Sequence, residues 1–412
     1  MTKRLAVVVV VVAAVACAAG AMFAADTVRF RGPDAQGRFP DTGLLKTWPT
    51  EGPKLLWSAK GLGAGFSSAV VAGDTVYVTG QAPSGQGMLF AFGLDGKEKW
   101  KADYGKEVGK MGPAQPGSRG TPTVDGDNVY VLTGYGQLVT VEAKAGKVVR
   151  TVDLLKQFGG KQARYGFAES VLIDGDKIIC TPGAADASLV AVNRNTGAPV
   201  WQSKGLSEEA GYCSPVLVTQ GGKKLVVTMT AGAVVGVDAD TGKVLWKQPH
   251  TGRFGLQPNP PLVGDGMIYI TSSGGAAALE LSADGSAVKE TWTNKDLDVR
   301  MHGAVLLDGC IYGGSSSKKA LLCVDAKTGK DNWAEAKIGP AVVVAADGML
   351  YCYGSDGTVS LVKPDAKACT IVSQFKVGEG AGMHVAHPTI GGGRLLIRHG
   401  DVLLCYDIKA GG

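Results

Sequence analysis

Beyond residue 53 the apolar positions fall into short runs, each roughly four to six residues long, rich in Val, Leu and Tyr and separated by Gly, Asp, Ser and Thr. Runs of this length bounded by turn formers read as β-strands. Long helices are disfavoured by the same glycines, since Gly costs roughly 1 kcal/mol against Ala inside a helix. The runs also repeat as a unit. One copy is SPVLVTQGGKKLVVTMTAGAVVGVDADTGKVLW, ending at Trp246. Others end at Arg150 and Trp333. Each copy holds four apolar runs, and a TGK-type turn precedes the last. The pattern predicts a four-stranded antiparallel meander, strands A to D.

The final turns lie at Asp95-Gly96, Ala145-Gly146, Thr196-Gly197, Thr241-Gly242, Asp284-Gly285, Thr328-Gly329 and Asp365-Ala366. An eighth copy starts at His387-Pro388 and stops where its fourth strand is due. That strand is present at the other end of the chain, where Lys54-Leu55-Leu56-Trp57 matches Lys243-Val244-Leu245-Trp246. The prediction is an all-β, eight-bladed propeller closed by the N-terminal strand in the C-terminal blade. Residues 26–412 divide into about 48 per blade, within the usual range for such repeats. Closure also removes the open sheet edges that an unclosed array would leave.

Six of the seven tryptophans close a unit: Trp57, Trp100, Trp201, Trp246, Trp292 and Trp333. A ring of that size on strand D is expected to pack between blades. Cys323 and Cys405 hold a strand C position occupied elsewhere by Ala91, Ala191 or Gly236, so they are expected to be buried free thiols. Their blades are not adjacent, and a disulfide needs Cα atoms within about 7 Å.

Composition adds three points. Glycine supplies 61 of 412 residues without a three-residue period, so a collagen is excluded. The net charge of +5 includes Lys3 and Arg4, and no basic run interleaves with aromatics, so nucleic acid is not an expected partner. Residues 3–25 show a basic start, an apolar run and small residues, the form of a secretory leader. Cleavage after Ala19-Gly20-Ala21, lipidation at Cys17 and retention as an anchor all remain open, and all place the body outside the cytoplasm. Membrane association is expected only through this leader. The expected division is residues 1–25 as leader, 26–52 as an extended lead-in and 53–412 as one propeller, and the expected state is a monomer. Seven cysteines follow the leader, an odd number, and no CxxC pair occurs.

The run Val237-Asp238-Ala239-Asp240-Thr241-Gly242-Lys243-Val244-Leu245-Trp246 resembles the repeat of PQQ-type propellers. That group includes the quinoprotein alcohol dehydrogenases and the propeller lipoprotein of the outer-membrane barrel assembly machinery. Phe30-Arg31-Gly32-Pro33, Trp48-Pro49 and Gly52-Pro53-Lys54 look like a subgroup of exported PQQ-binding-like propellers. For the dehydrogenases the resemblance implies Ca²⁺ and PQQ held by Glu and Asn side chains, an Asp base, and the quinone stacked between a Trp and a Cys-Cys disulfide. Glu169 and Asn259 are the matching types for metal, and Asp298 for the base. The Cys-Cys pair is absent from the sequence, and no Trp occurs in the segments leading into strand A.

Function in a propeller is expected where the loops entering strand A converge at one mouth. Those segments hold Arg119, Glu169, Tyr212, Asn259, Arg300, His302, His384 and His387, with Phe66 and Gln257 beside them. They define a candidate site for a small molecule or a protein. A histidine metal centre of His302, His384 and His387 is a further alternative. No GxSxG, HExxH or P-loop is present, and no catalytic residue is assigned. The leading expectation is an exported binding or scaffolding propeller. A PQQ- and Ca²⁺-dependent dehydrogenase and an envelope assembly factor are the alternatives.

Overall fold

The computed structural model describes residues 28–109 and 115–411. The leader, with Cys17 and the readings attached to it, lies outside the described residues. The remainder forms eight sheets, each built on a four-stranded antiparallel meander, and one of them gains a fifth strand. Blade 1 comprises Val70–Ala72, Thr75–Gln81, Gln86–Gly93 and Glu98–Lys106. Blades 2 to 7 follow in chain order, and strands A to C of blade 8 are Thr389–Gly391, Arg394–His399 and Val402–Asp407. Its strand D is Leu55–Ala59, antiparallel to Val402–Asp407 with Trp57 opposite Cys405. The propeller and its closure are therefore as the repeat predicts.

The repeat residues explain how the blades adhere. On the six D strands that carry one, the tryptophan faces the small residue of strand C: Trp100 lies opposite Ala91, Trp201 opposite Ala191, Trp246 opposite Gly236 and Trp333 opposite Cys323. A Cβ on Gly236 would lie 2.1 Å from the Trp246 ring, so the site must stay small. The indole N–H then reaches into the following blade. Trp57, Trp100, Trp201, Trp292 and Trp333 donate to the carbonyls of Leu94, Ala143, Ala239, Ala326 and Asp365. Gly96, Gly146, Gly242 and Gly329 of the TGK-type turns lie against those rings at φ between 70° and 82°. Only Gly meets both conditions, a left-handed backbone and no room for a Cβ. All seven described cysteines are unpaired, Cys323 and Cys405 among the buried ones.

Residues 28–52 do more than lead in. Inner strands of a propeller leave backbone donors and acceptors facing the axial channel, where they need partners. The N-terminal segment supplies them. Val28 accepts from Val124 N–H of blade 2, Arg29 donates to Pro215 O before blade 4, and Gln36 bonds Pro261 O and Val263 N–H of blade 5. Arg31 donates to Ala304 O of blade 6 and Val343 O of blade 7. Arg38–Phe39 then adds a parallel fifth strand to Ala341–Ala346 of blade 7. That blade departs from the four-stranded prediction because the lead-in pairs with its exposed inner edge. The segment leaves the channel, packs Trp48 against Tyr351 and Phe375, and becomes the closing strand.

Candidate binding cup at the axial mouth

Loops joining strand D of one blade to strand A of the next gather at one end of the axis. Seven of the eight loops line a cavity of about 450 Å³. The N-terminal segment closes it from below. Phe30 forms the floor, its ring 4.8 Å from the His387 ring. Arg31 donates to His387 Nδ1 at 2.8 Å, so Nε2 carries the proton and donates to Met301 O at 2.9 Å. Burial, reinforced by Arg31, holds this imidazole neutral, well below its ordinary pKa. Both ring nitrogens are used, which removes His387 from any metal set.

The walls are apolar and aromatic: Phe66, Tyr165, Tyr212, Phe254, Leu256, Met301 and Met383. Tyr212 and Phe254 hold φ of 72° and 62°, in the left-handed region. The Tyr212 hydroxyl accepts the Tyr165 N–H at 3.3 Å. Arg119 and Arg300 enter the lining. Arg119 lies over the Phe66 ring at 5.6 Å and donates to Gly117 O and Gln115 O. Arg164 stands over Tyr165 and Phe254, and Arg253 over Phe254 at 5.1 Å.

Of the eight residues expected here, Arg119, Tyr212, Arg300 and His387 are brought together in the cup. The other four are not part of its lining. Glu169 is buried, with both carboxyl oxygens taken by the Thr181 N–H and hydroxyl, and burial raises its pKa to about 7. Asn259 donates to Thr271 O and Val299 O and accepts from Gly303 N–H. It ties blade 5 to the next loop. His302 is buried, and desolvation lowers its pKa to about 4. His384 stacks on His399 at 3.8 Å and bonds the Tyr353 hydroxyl at 2.6 Å. Asp298 accepts from Ser315 and Ser317.

These partners bear on how a cofactor would fit. Ca²⁺ needs convergent oxygens with free lone pairs. Glu169 and Asn259 spend theirs on neighbouring donors, and among the described residues no group of three or more His, Cys, Asp or Glu converges to hold a metal. The ring at the floor is Phe30. The residues present do not fit the Ca²⁺–PQQ pattern that the resemblance implies.

Sequence reading missed Phe30, Phe254, Met301 and Met383. Phe30 belongs to a segment remote from every loop, and only its resemblance to the exported PQQ-binding-like subgroup marked it. Arg253-Phe254-Gly255 carried a usable signal: an isolated aromatic between a cation and a glycine, outside any apolar run.

Residues 95–335 match the family model described as outer membrane protein assembly factor BamB, a PQQ-repeat model. The chain belongs to this family. Relatives of the PQQ-repeat chain fall on two sides. A quinoprotein ethanol dehydrogenase of Pseudomonas aeruginosa is 31% identical over 38% of this chain and 26% of its own length. The outer membrane protein assembly factor BamB of Burkholderia pseudomallei is 27% identical over 62% of this chain and 61% of its own length. The matches thus span about a quarter of the ethanol dehydrogenases' length. Among solved structures, BamB from Moraxella catarrhalis aligns with a TM-score of 0.62 at 17% identity, covering 87% of this chain and 98% of that one. A europium-containing methanol dehydrogenase aligns at 0.67 and 14% identity, over 91% and 90%. At those identities the likeness is one of fold.

Proposed function

We propose that this chain is an exported binding module without catalysis of its own, holding its ligand in the cup at the axial mouth. The observation that carries this reading is the cup's composition. Aromatic and methionine side chains face an arginine rim, and Glu169, Asp298 and His387 near it are tied to structural partners. A site of apolar walls with a few convergent polar groups is the usual form of a ligand pocket. Catalysis would need a general base or nucleophile with a free reacting atom in the cup; His387, Glu169 and Asp298 are each committed elsewhere, and His302, with Nδ1 unpartnered, is buried outside the lining.

The dehydrogenase relatives supply the rival, a PQQ- and Ca²⁺-dependent oxidation of alcohols or sugars. The test is titration of the purified protein with PQQ and Ca²⁺, followed by dye reduction with ethanol, methanol or glucose. The binding-module reading expects no turnover; substrate-dependent dye reduction would overturn it. The BamB family match supports a protein as the bound partner, in envelope assembly.

A further inference from the structure

We infer that the cup takes an acidic segment of another polypeptide, seating one aromatic or aliphatic side chain over Phe30 and resting the flanking carboxylates on the arginine rim. This rests on the binding reading above and names its ligand.

Charge carries the argument. Arg119, Arg164, Arg253 and Arg300 come from four different loops, and none joins an ion pair among the described residues. The neighbouring carboxyl groups are turned inward. Glu107 accepts from the Tyr104 hydroxyl and Gly134 N–H, Glu169 from Thr181, Asp298 from Ser315 and Ser317, and Glu208 pairs with Lys247. Exposed Glu209, beside Tyr212, is the remaining countercharge of this region. Three of the arginines instead lie on aromatic rings. A guanidinium held on a ring face still presents in-plane N–H donors, the geometry that meets a carboxylate in two bonds.

The apolar part points the same way. Phe254 is 60% exposed, the most of any exposed large apolar side chain among the described residues, and Met383 and Met301 of the same cup are exposed with it. Phe254 also sits in a backbone region that L residues rarely adopt, which turns its ring to the mouth. Phe, Tyr, Met and Arg are the residue types enriched in protein-binding surfaces, and Lys, Asp and Glu are depleted there. Cations arrayed round the rim from separate loops suit carboxylates spaced along a chain better than one compact anion.

The test uses calorimetry on the mature full chain with three acetylated, amidated pentapeptides. They are Asp-Glu-Phe-Glu-Asp, its counterpart Lys-Lys-Phe-Lys-Lys, and Asp-Glu-Ser-Glu-Asp. The first is expected to bind about tenfold or more tighter than the other two, and to weaken as salt rises. The double variant Arg164→Gln/Arg253→Gln, both exposed positions, is expected to lose about fivefold in affinity with an unchanged melting temperature. Equal binding of the lysine peptide, or binding indifferent to salt, overturns the proposal. So does binding to phosphatidylglycerol vesicles in place of all three peptides. Nile red, a neutral apolar dye, separates the two levels. If it fluoresces with the wild type but not with Phe254→Asp while no peptide binds, the acidic-segment ligand is wrong and the binding cup stands. If neither dye nor peptide binds, both fall.

Discussion

Phe254 and Tyr212 hold left-handed backbone without being glycine, and each places a ring in the cup. That conformation costs an L residue roughly 1–2 kcal/mol. Replacing Phe254 with Gly removes the strain and the ring together. The variant is expected to stay within about 1 kcal/mol of wild-type stability in urea, because the lost strain offsets the added chain entropy, while the cup loses its dye or peptide binding. Glu169 gives a second prediction at this scale. Burial raises its carboxyl from an ordinary 4.5 to about 7 in the folded protein. The folded state therefore holds a proton that the unfolded state has released, and stability declines as pH rises from about 4.5 to 7. His302 and His387 act in the opposite sense: burial depresses their pKa, so stability is lost as pH falls below their ordinary 6.5. The check is thus a difference. Glu169→Gln should flatten the decline between pH 5 and 7 relative to wild type in urea titrations, and an unchanged difference across that range would reject the burial argument. Such residues were visible in the sequence by type and position. Their commitments were not, because a side chain's partners, such as Thr181 for Glu169, lie on other strands.

At the scale of the element, the tryptophan and the turn glycine make one joint. Trp201 lies on strand D of blade 3, donates to Ala239 O in blade 4, and packs under Gly242. Gly242→Ala places a Cβ 2.7 Å from that ring at φ 75°, so it should destabilise by at least about 1–2 kcal/mol. Trp201→Ala should cost about 3–5 kcal/mol. Both are read from urea midpoints at constant slope. The closing strand is the other joint. Deleting residues 53–58 removes most of Leu55–Ala59 and bares the edge of Val402–Asp407, so the melting transition should fall cooperatively and aggregation should appear. An unchanged transition would mean that the ring holds without its seam. These joints were legible because each recurs: the tryptophan, the small strand C residue and the turn glycine return at fixed offsets, and the missing eighth D strand was found by the same rule.

The whole molecule is a ring around its own N-terminal segment, and that relation was not legible. Residues 28–39 occur once, carry no periodicity, and take most of their partners from backbone groups of distant strands. Arg31 alone touches blades 6 and 7 and the loop before blade 8. Arg31→Met should therefore loosen several blades at once, seen as faster amide exchange at Val343 and Ala345 than at the equivalent positions of blade 3. Uniform exchange would confine Arg31 to a local role. The same arrangement also orders events in time. Arg31 meets His387 across 356 residues of sequence, and Leu55 meets Tyr406 across nearly the full chain. During synthesis the earlier-made segment must wait for the later-made one. Until the strands of blade 8 are made, seven blades form an open arc with two sticky edges and an unfilled axle hole. Such a chain depends on being held apart from its neighbours until its eighth blade arrives.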